Sequence, residues 1–229
     1  MKRLSRKIRG NISRKASIFK DKHSNIAVAE SALLSDIEIL KRLVSESDDE
    51  CIFISPLLKP IEQIGPASLD LRLGSELIVM NNIALSEIDL TSLDKELLRR
   101  QIEKYSKKIW IKPDEYFVLH PGEFTLAQTL EYIRLPKDIA GRLEGRSSFG
   151  RLGLQIHCTA GFIDPQFKGN LTFELINSGR LPLKLRPGIR LGQICFFKVK
   201  NVQVGYTDKP FSKYSGTLGV SESKLPDDP

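Results

Sequence analysis

From Ser68 onward the apolar residues fall on a period of two, in short runs broken by turn residues, and this restricts the fold more than any other feature of the chain. Leu69, Leu71 and Leu73 alternate with Ser68, Asp70 and Arg72, as in a strand with one face in a core. Comparable runs follow at 109–111, 116–120, 124–129, 154–158, 171–176 and 191–199, with Pro121-Gly122 and Pro187-Gly188 as turn signals. Many short strands with regular turns predict an all-β sandwich or barrel. Helices are few. Ser35-Asp36-Ile37-Glu38 has the form of a capping box, and Leu33, Ile37, Leu40 and Val44 recur at helical spacing, predicting a helix that ends near Ser45. A second, exposed helix is expected over 92–105, and a short strand over 51–55 before the irregular stretch marked by Pro56, Pro60 and Pro66.

The net charge of +7 invites a nucleic-acid reading, but its distribution argues against one for most of the chain. Residues 1–22 carry nine Lys or Arg and a single acid, Asp21, a net of +8, so the remainder is close to neutral at −1. The sequence therefore divides into a basic extension over 1–30, expected to be disordered, an ordered domain over 31–205, and a flexible tail or lid over 206–229 rich in Gly, Ser, Lys and Pro. Leu4, Ile8 and Ile12 also fit a weak apolar stripe on a basic helix at an anionic surface, so the partner of the extension stays open. No aromatic-and-basic platform marks the body as a nucleic-acid binder. No apolar run reaches the roughly 20 residues that span a bilayer, so no membrane partner is expected. Three widely spaced cysteines, Cys51, Cys158 and Cys195, with no CxxC pair, fit a reducing, cytoplasmic compartment.

Three segments have the composition of a site. Gly145-Arg146-Ser147-Ser148-Phe149-Gly150-Arg151-Leu152-Gly153 combines glycines, two arginines and two hydroxyls, which suits an oligophosphate and equally a solvated surface turn. Ala160-Gly161 leaves main-chain groups uncovered, and Asp164 before Pro165 is held extended, where it is either a sugar-hydroxyl acceptor or a turn residue. In 171–177, Leu171, Phe173 and Leu175 share one face and Thr172, Glu174 and Ile176 the other. If that second face lines a pocket, desolvation would raise the Glu174 pKa and suit it to proton transfer; if it is an edge-strand surface, Glu174 is merely solvated. His157-Cys158 is not a metal pair, because neighbouring strand residues point to opposite faces; His157 is expected to be a hydrogen-bonded core or supporting residue.

The order GRSSFGRLG, HCTAGFIDPQFKG, LTFELIN, RPGIRLGQI and SKYSG, with SLDLRLG and LHPGE upstream, resembles the dCTP deaminases of the trimeric dUTPase superfamily over roughly residues 31–222. The resemblance implies a mainly β, distorted barrel or jelly-roll-like β-clip with a few short helices, assembled as a homotrimer with active sites between subunits. It implies zinc-independent hydrolysis of dCTP, with Glu174 passing a proton from water to departing ammonia, and Arg151 and Ser147 orienting base and water. Arg146, Ser147 and Ser148 match the phosphate loop, and Asp164 matches the acceptor of the deoxyribose 3′-hydroxyl. Ala160 and Gly161 fall among the implied substrate-binding residues, while Gln193, Tyr206, Lys213 and Tyr214 match positions that close over sugar and phosphates. Mg²⁺ would arrive with the triphosphate, without a protein metal site. Ala160-Gly161-Phe162 and Gly192-Gln193 resemble the bifunctional members, which continue from dUTP to dUMP. The alternatives are release of dUTP, a dUTPase that ignores cytosine, or a non-catalytic nucleotide-binding relative. One departure stands out: Thr217 replaces the glutamine usual after the Lys-Tyr pair, at a position tied to lid closure.

Overall fold

The computed structural model describes residues 32–81, 85–209 and 212–228. The basic extension over 1–30, with its apolar stripe, lies outside the described residues. The rest is mostly β, a curled half-barrel sheet with a few short helices.

The first helix, α1 (Asp36–Val44), begins at the expected capping box: Glu38 N–H donates to Ser35 Oγ (3.4 Å), and Ser35 N–H donates back to Glu38 Oε2 (3.0 Å). Its buried face is Ile39, Leu40 and Leu43 rather than the Ile37–Leu40–Val44 stripe, and Val44 is exposed. The sequence contains both apolar stripes, and the core fits only one of them. The short α2 (Pro60–Gln63) follows β1 (Phe53–Ser55). The second expected helix, α3 (Lys95–Tyr105), is capped by Asp94, which accepts from Leu97 N–H at 2.9 Å. It is largely exposed but seats Leu98 and Ile102 in the protein.

Long antiparallel pairings form the frame. β9 (Lys168–Asn177) pairs with β5 (Phe124–Arg134), β5 with β2 (Leu69–Met80), β2 with β11 (Arg190–Lys198), and β11 with β6 (Ile139–Gly145). Two-residue strands close the ends, β7 (Leu154–Gln155) on β9 and β8 (Phe162–Ile163) on β6. β1 adds to β5, and β3 (Ser106–Trp110) adds to β2. A separate ribbon joins β4 (Phe117–Leu119) to β10 (Leu183–Leu185). Register shifts between Gln128 and Tyr132, and between Leu73 and Leu77, let β5 and β2 bend and pair with different neighbours along their length. The strand expected at 154–158 shrinks to two residues: beyond it Ile156 O still accepts the Glu174 N–H of β9 (2.9 Å), and the chain then runs irregularly. β6 was absent from the sequence expectations: its glycines and charges lack a strand signature. Gly141 is there for close packing, since a β-carbon would come within 2.9 Å of Ile194 Cδ1.

Inside the curl, Leu69, Leu71, Leu73, Phe173, Leu175, Ile194 and Phe196 are fully buried. Arg72 departs from the period-two expectation, because it is buried as well. It meets Glu131, itself inaccessible: Arg72 N–H donates to Glu131 Oε2 (2.8 Å), its guanidinium lies 3.4 Å from Oε1, and Gln63 Nε2 donates to the same oxygen at 3.2 Å. A carboxylate held this way is tolerated only while its partners remain. Arg72→Ala is therefore expected to cost about 3–5 kcal/mol, read as a lowered urea midpoint at fixed protein concentration; a change below about 1 kcal/mol would show that the pair is structurally dispensable.

Candidate active site

The alternation of β9 places the candidate acid. Leu171, Phe173 and Leu175 are buried in the core, while Thr172 and Glu174 emerge on the opposite face and line a cavity of about 530 Å³. Leu126 of β5 pairs with Glu174 and lines the cavity beside it. Glu174 is fixed from both ends: its N–H donates to Ile156 O (2.9 Å), and its Oε2 accepts the N–H of Cys158 (2.7 Å). Burial, and the Glu174 charge beside it, push the Cys158 thiol above its ordinary pKa. His157, expected to be satisfied, is so at most on one side: Nε2 lies 3.8 Å from Glu144 Oε2, and buried Nδ1 has no hydrogen-bond partner.

Other candidates converge on the same cavity. Ala160 and Asp164 line it, and Gly161 docks its loop by accepting from Leu143 N–H (2.7 Å). Asp164 Oδ2 accepts from Lys209 Nζ at 3.0 Å. Tyr206 lies against Phe167, with ring centroids 5.8 Å apart, and its hydroxyl accepts the N–H of Tyr214 (3.2 Å), so both tyrosines reach the cavity together. Lys213 is turned to Asp228 as an ion pair and does not line it.

The arginine loop lies apart from this group. It folds as the single turn α4 (Ser147–Gly150), with Ser147, Ser148 and Arg151 exposed and none of them lining the cavity. Its base is anchored instead. Arg146 donates to Arg190 O (2.8 Å) and lies 3.6 Å from Asp70 Oδ1, while Arg190 lies 3.4 Å from Asp70 Oδ2. Gln193 donates to Gly145 O (3.1 Å) and accepts from Ser68 Oγ (2.8 Å), so within one chain it braces the loop rather than facing the cavity. Burial pushes the Asp70 carboxyl up, and Arg146, Arg190 and Arg72 pull it back. Asp70 had no distinguishing signal in the sequence, where it is one polar residue in an alternating strand.

Charge separates the two groups as well. The described cavity lining carries Asp164, Glu174 and Glu222 but no Lys or Arg. Lys209 beside it is paired with Asp164 (3.0 Å), and the lining itself offers an oligophosphate no arginine or lysine. Among the described residues, no three His, Cys, Asp or Glu side chains gather as a metal site. No helix among them is long and apolar enough to cross a membrane.

Comparison with known proteins decides the family. Residues 33–199 match the family described as dCTP deaminase-like. The chain belongs to that family. A dUMP-forming dCTP deaminase of Methanosphaera stadtmanae is 41% identical over 203 residues, covering 86% of this chain and 95% of the relative. One from Bifidobacterium adolescentis is 44% identical, covering 84% and 93%. Among solved structures, the 2′-deoxycytidine 5′-triphosphate deaminase of Agrobacterium tumefaciens superposes with a TM-score of 0.53 at 25% identity. That match covers 73% of this chain, which spans about half (48%) of the longer protein.

In this dCTP deaminase-like chain the contact between Glu174 and Cys158 can be read chemically. Removing the Glu174 charge takes away one of the influences that raise the thiol pKa, so more thiolate is present at a given pH. Glu174→Gln is expected to speed iodoacetamide labelling of Cys158 a few-fold at pH 8, located by peptide mass mapping, with Cys51 unchanged. Equal labelling of Cys158 in both proteins would contradict the placement.

Proposed function

We propose that this chain hydrolyses the 4-amino group of dCTP and then releases pyrophosphate, giving dUMP. The observation that carries the proposal is Glu174, aimed from a rigid strand into a cavity and held by the Cys158 amide at 2.7 Å. In the deamination, Glu174 takes a proton from water as the water oxygen bonds to C4 of the base. It returns that proton to the amino nitrogen, the C4–N bond breaks and ammonia leaves, while the hydroxyl's remaining proton passes to N3 as C4=O forms. A second water then cleaves the α–β phosphoanhydride of dUTP. Relatives at 41% and 44% identity named as dUMP-forming support the second step for this chain, as does the Ala160-Gly161-Phe162 segment.

The remaining residues take their roles from the same proposal. Asp164 accepts the 3′-hydroxyl of the deoxyribose, with Tyr206 and Tyr214 closing over the sugar. Arg146, Ser147, Ser148 and Arg151 receive the triphosphate and its Mg²⁺, with Ser147 and Arg151 reaching the reacting base. Because the cavity lining lacks cations and loop 146–151 lies outside it, we assign the loop to a neighbouring copy, with the site completed between subunits of a homotrimer. Residues 31–205 are the catalytic unit and 206–229 the closing segment. Three widely spaced cysteines with no CxxC pair, Cys51, Cys158 and Cys195, suit a cytoplasmic enzyme.

Incubation with dCTP and Mg²⁺, with nucleotides and pyrophosphate resolved by chromatography, is expected to give dUMP and pyrophosphate in equal amounts. Absence of any uracil product would overturn the proposal, and dUTP accumulating without pyrophosphate would overturn its second step. Glu174→Gln is expected to lower deamination by about 10²–10⁴-fold while dCTP binding stays within a few-fold of native. Full activity in that variant would remove Glu174 from its role.

A further inference from the structure

The C-terminal segment forms one wall of the cavity that holds Glu174: Tyr214, Ser221, Glu222, Ser223 and Leu225 all line it. That wall is attached to the sheet along a short stretch. Gly216 N–H donates to Lys168 O (2.7 Å), and Asn170 N–H donates to Thr217 O (3.1 Å), so 216–217 runs as a parallel partner to the start of β9. Thr217 contributes its main chain here, and the pairing makes no demand on its side chain.

One side chain reaches both parts. Asn170 Oδ1 accepts the N–H of Gly219 (3.2 Å), while its Nδ2 donates to Thr129 O (2.9 Å) and Glu131 O (3.2 Å) at the bulge of β5. The bulge frees those carbonyls, and Asn170 uses them to orient its amide towards the tail. Val220 N–H lies 3.4 Å from Glu76 Oε2, and the Val220 side chain is buried. Gly219 has φ +88°, and a β-carbon there would collide with the Glu76 carboxylate. The outer attachments are different in kind: Arg99 to Asp227 (2.9 Å) and Lys213 to Asp228 are partly exposed ion pairs, which hold weakly.

We infer that Asn170 is a positioning residue, the latch that holds residues 216–220 on β9 and so keeps the C-terminal wall closed over Glu174. The latch stands on these contacts alone, whereas its effect on turnover rests on the deaminase proposal. If the wall must close for the nucleotide to be gripped, loosening the latch raises KM more than it lowers kcat.

Two variants test this in the full-length protein by amide hydrogen exchange. Asn170→Ala removes the side-chain bridge; Gly219→Ala leaves β9 untouched and disturbs the latch from the tail side. Exchange at Gly216 and Val220 is expected to quicken about fivefold or more in both, with Phe173 and Leu175 as protected as in the native protein. Native-like exchange at Gly216 and Val220 in either variant overturns the latch. So does quickening that spreads through β5 and β9, which would make Asn170 a general structural residue. With dCTP as substrate, KM is expected to rise about fivefold in Asn170→Ala with kcat within about twofold. An unchanged KM alongside faster tail exchange would separate the latch, which stands, from its catalytic consequence, which fails.

Discussion

β9 is held in one register by Leu171, Phe173 and Leu175, which are buried against β5 and the strands beneath it. Each such side chain contributes about 1.5–3 kcal/mol by leaving water, so a slip by one residue would forfeit several of these contributions together. The same slip would turn Glu174 into the core and Phe173 into the cavity. Core packing therefore aims the carboxylate, and the Cys158 amide sets its final direction. The cavity, the closing tail and the position of loop 156–164 are all arranged around that one side of β9.

The second constraint is electrostatic. One chain offers an acidic cavity and, elsewhere, an exposed arginine loop braced by Asp70, Gln193 and the main chain of β11. The cavity has the Glu174 carboxylate but no Lys or Arg in its lining, and the loop has cations but does not line the cavity. The proposed trimer joins them. Asp70, Arg146 and Arg190 then matter because they fix the loop before a partner arrives, so that little order has to be gained on assembly.

Legibility in the sequence followed how local each cause was. The capping box at Ser35 and the alternation of 171–176 depend on neighbours a few residues away, and the structure has them where they were expected, whereas α3 begins at Lys95 behind Asp94, three residues later than the expected start at Ser92. The cavity-facing side of Glu174 followed from the alternation once the resemblance chose between pocket and edge. Other features depend on distant partners. Which stripe of α1 is buried, why Arg72 is inside, and why β6 tolerates two glycines are decided by Glu131, Ile194 and strands far off in the chain. Asn170 was invisible for the same reason, since its bonds run to a bulge in β5 and to a glycine 49 residues later.

The central claim is that Glu174 of one copy works with Arg151 of another, and subunit mixing tests it most directly. Glu174→Gln and Arg151→Ala proteins, each inactive alone, would be co-refolded in equal amounts and assayed for dCTP deamination. Random assembly of a cyclic trimer leaves about a quarter of the sites with both native groups, so recovery of about a quarter of native activity is predicted. Mixed oligomers, verified by mass, whose activity does not exceed that of the two variants alone would contradict the account.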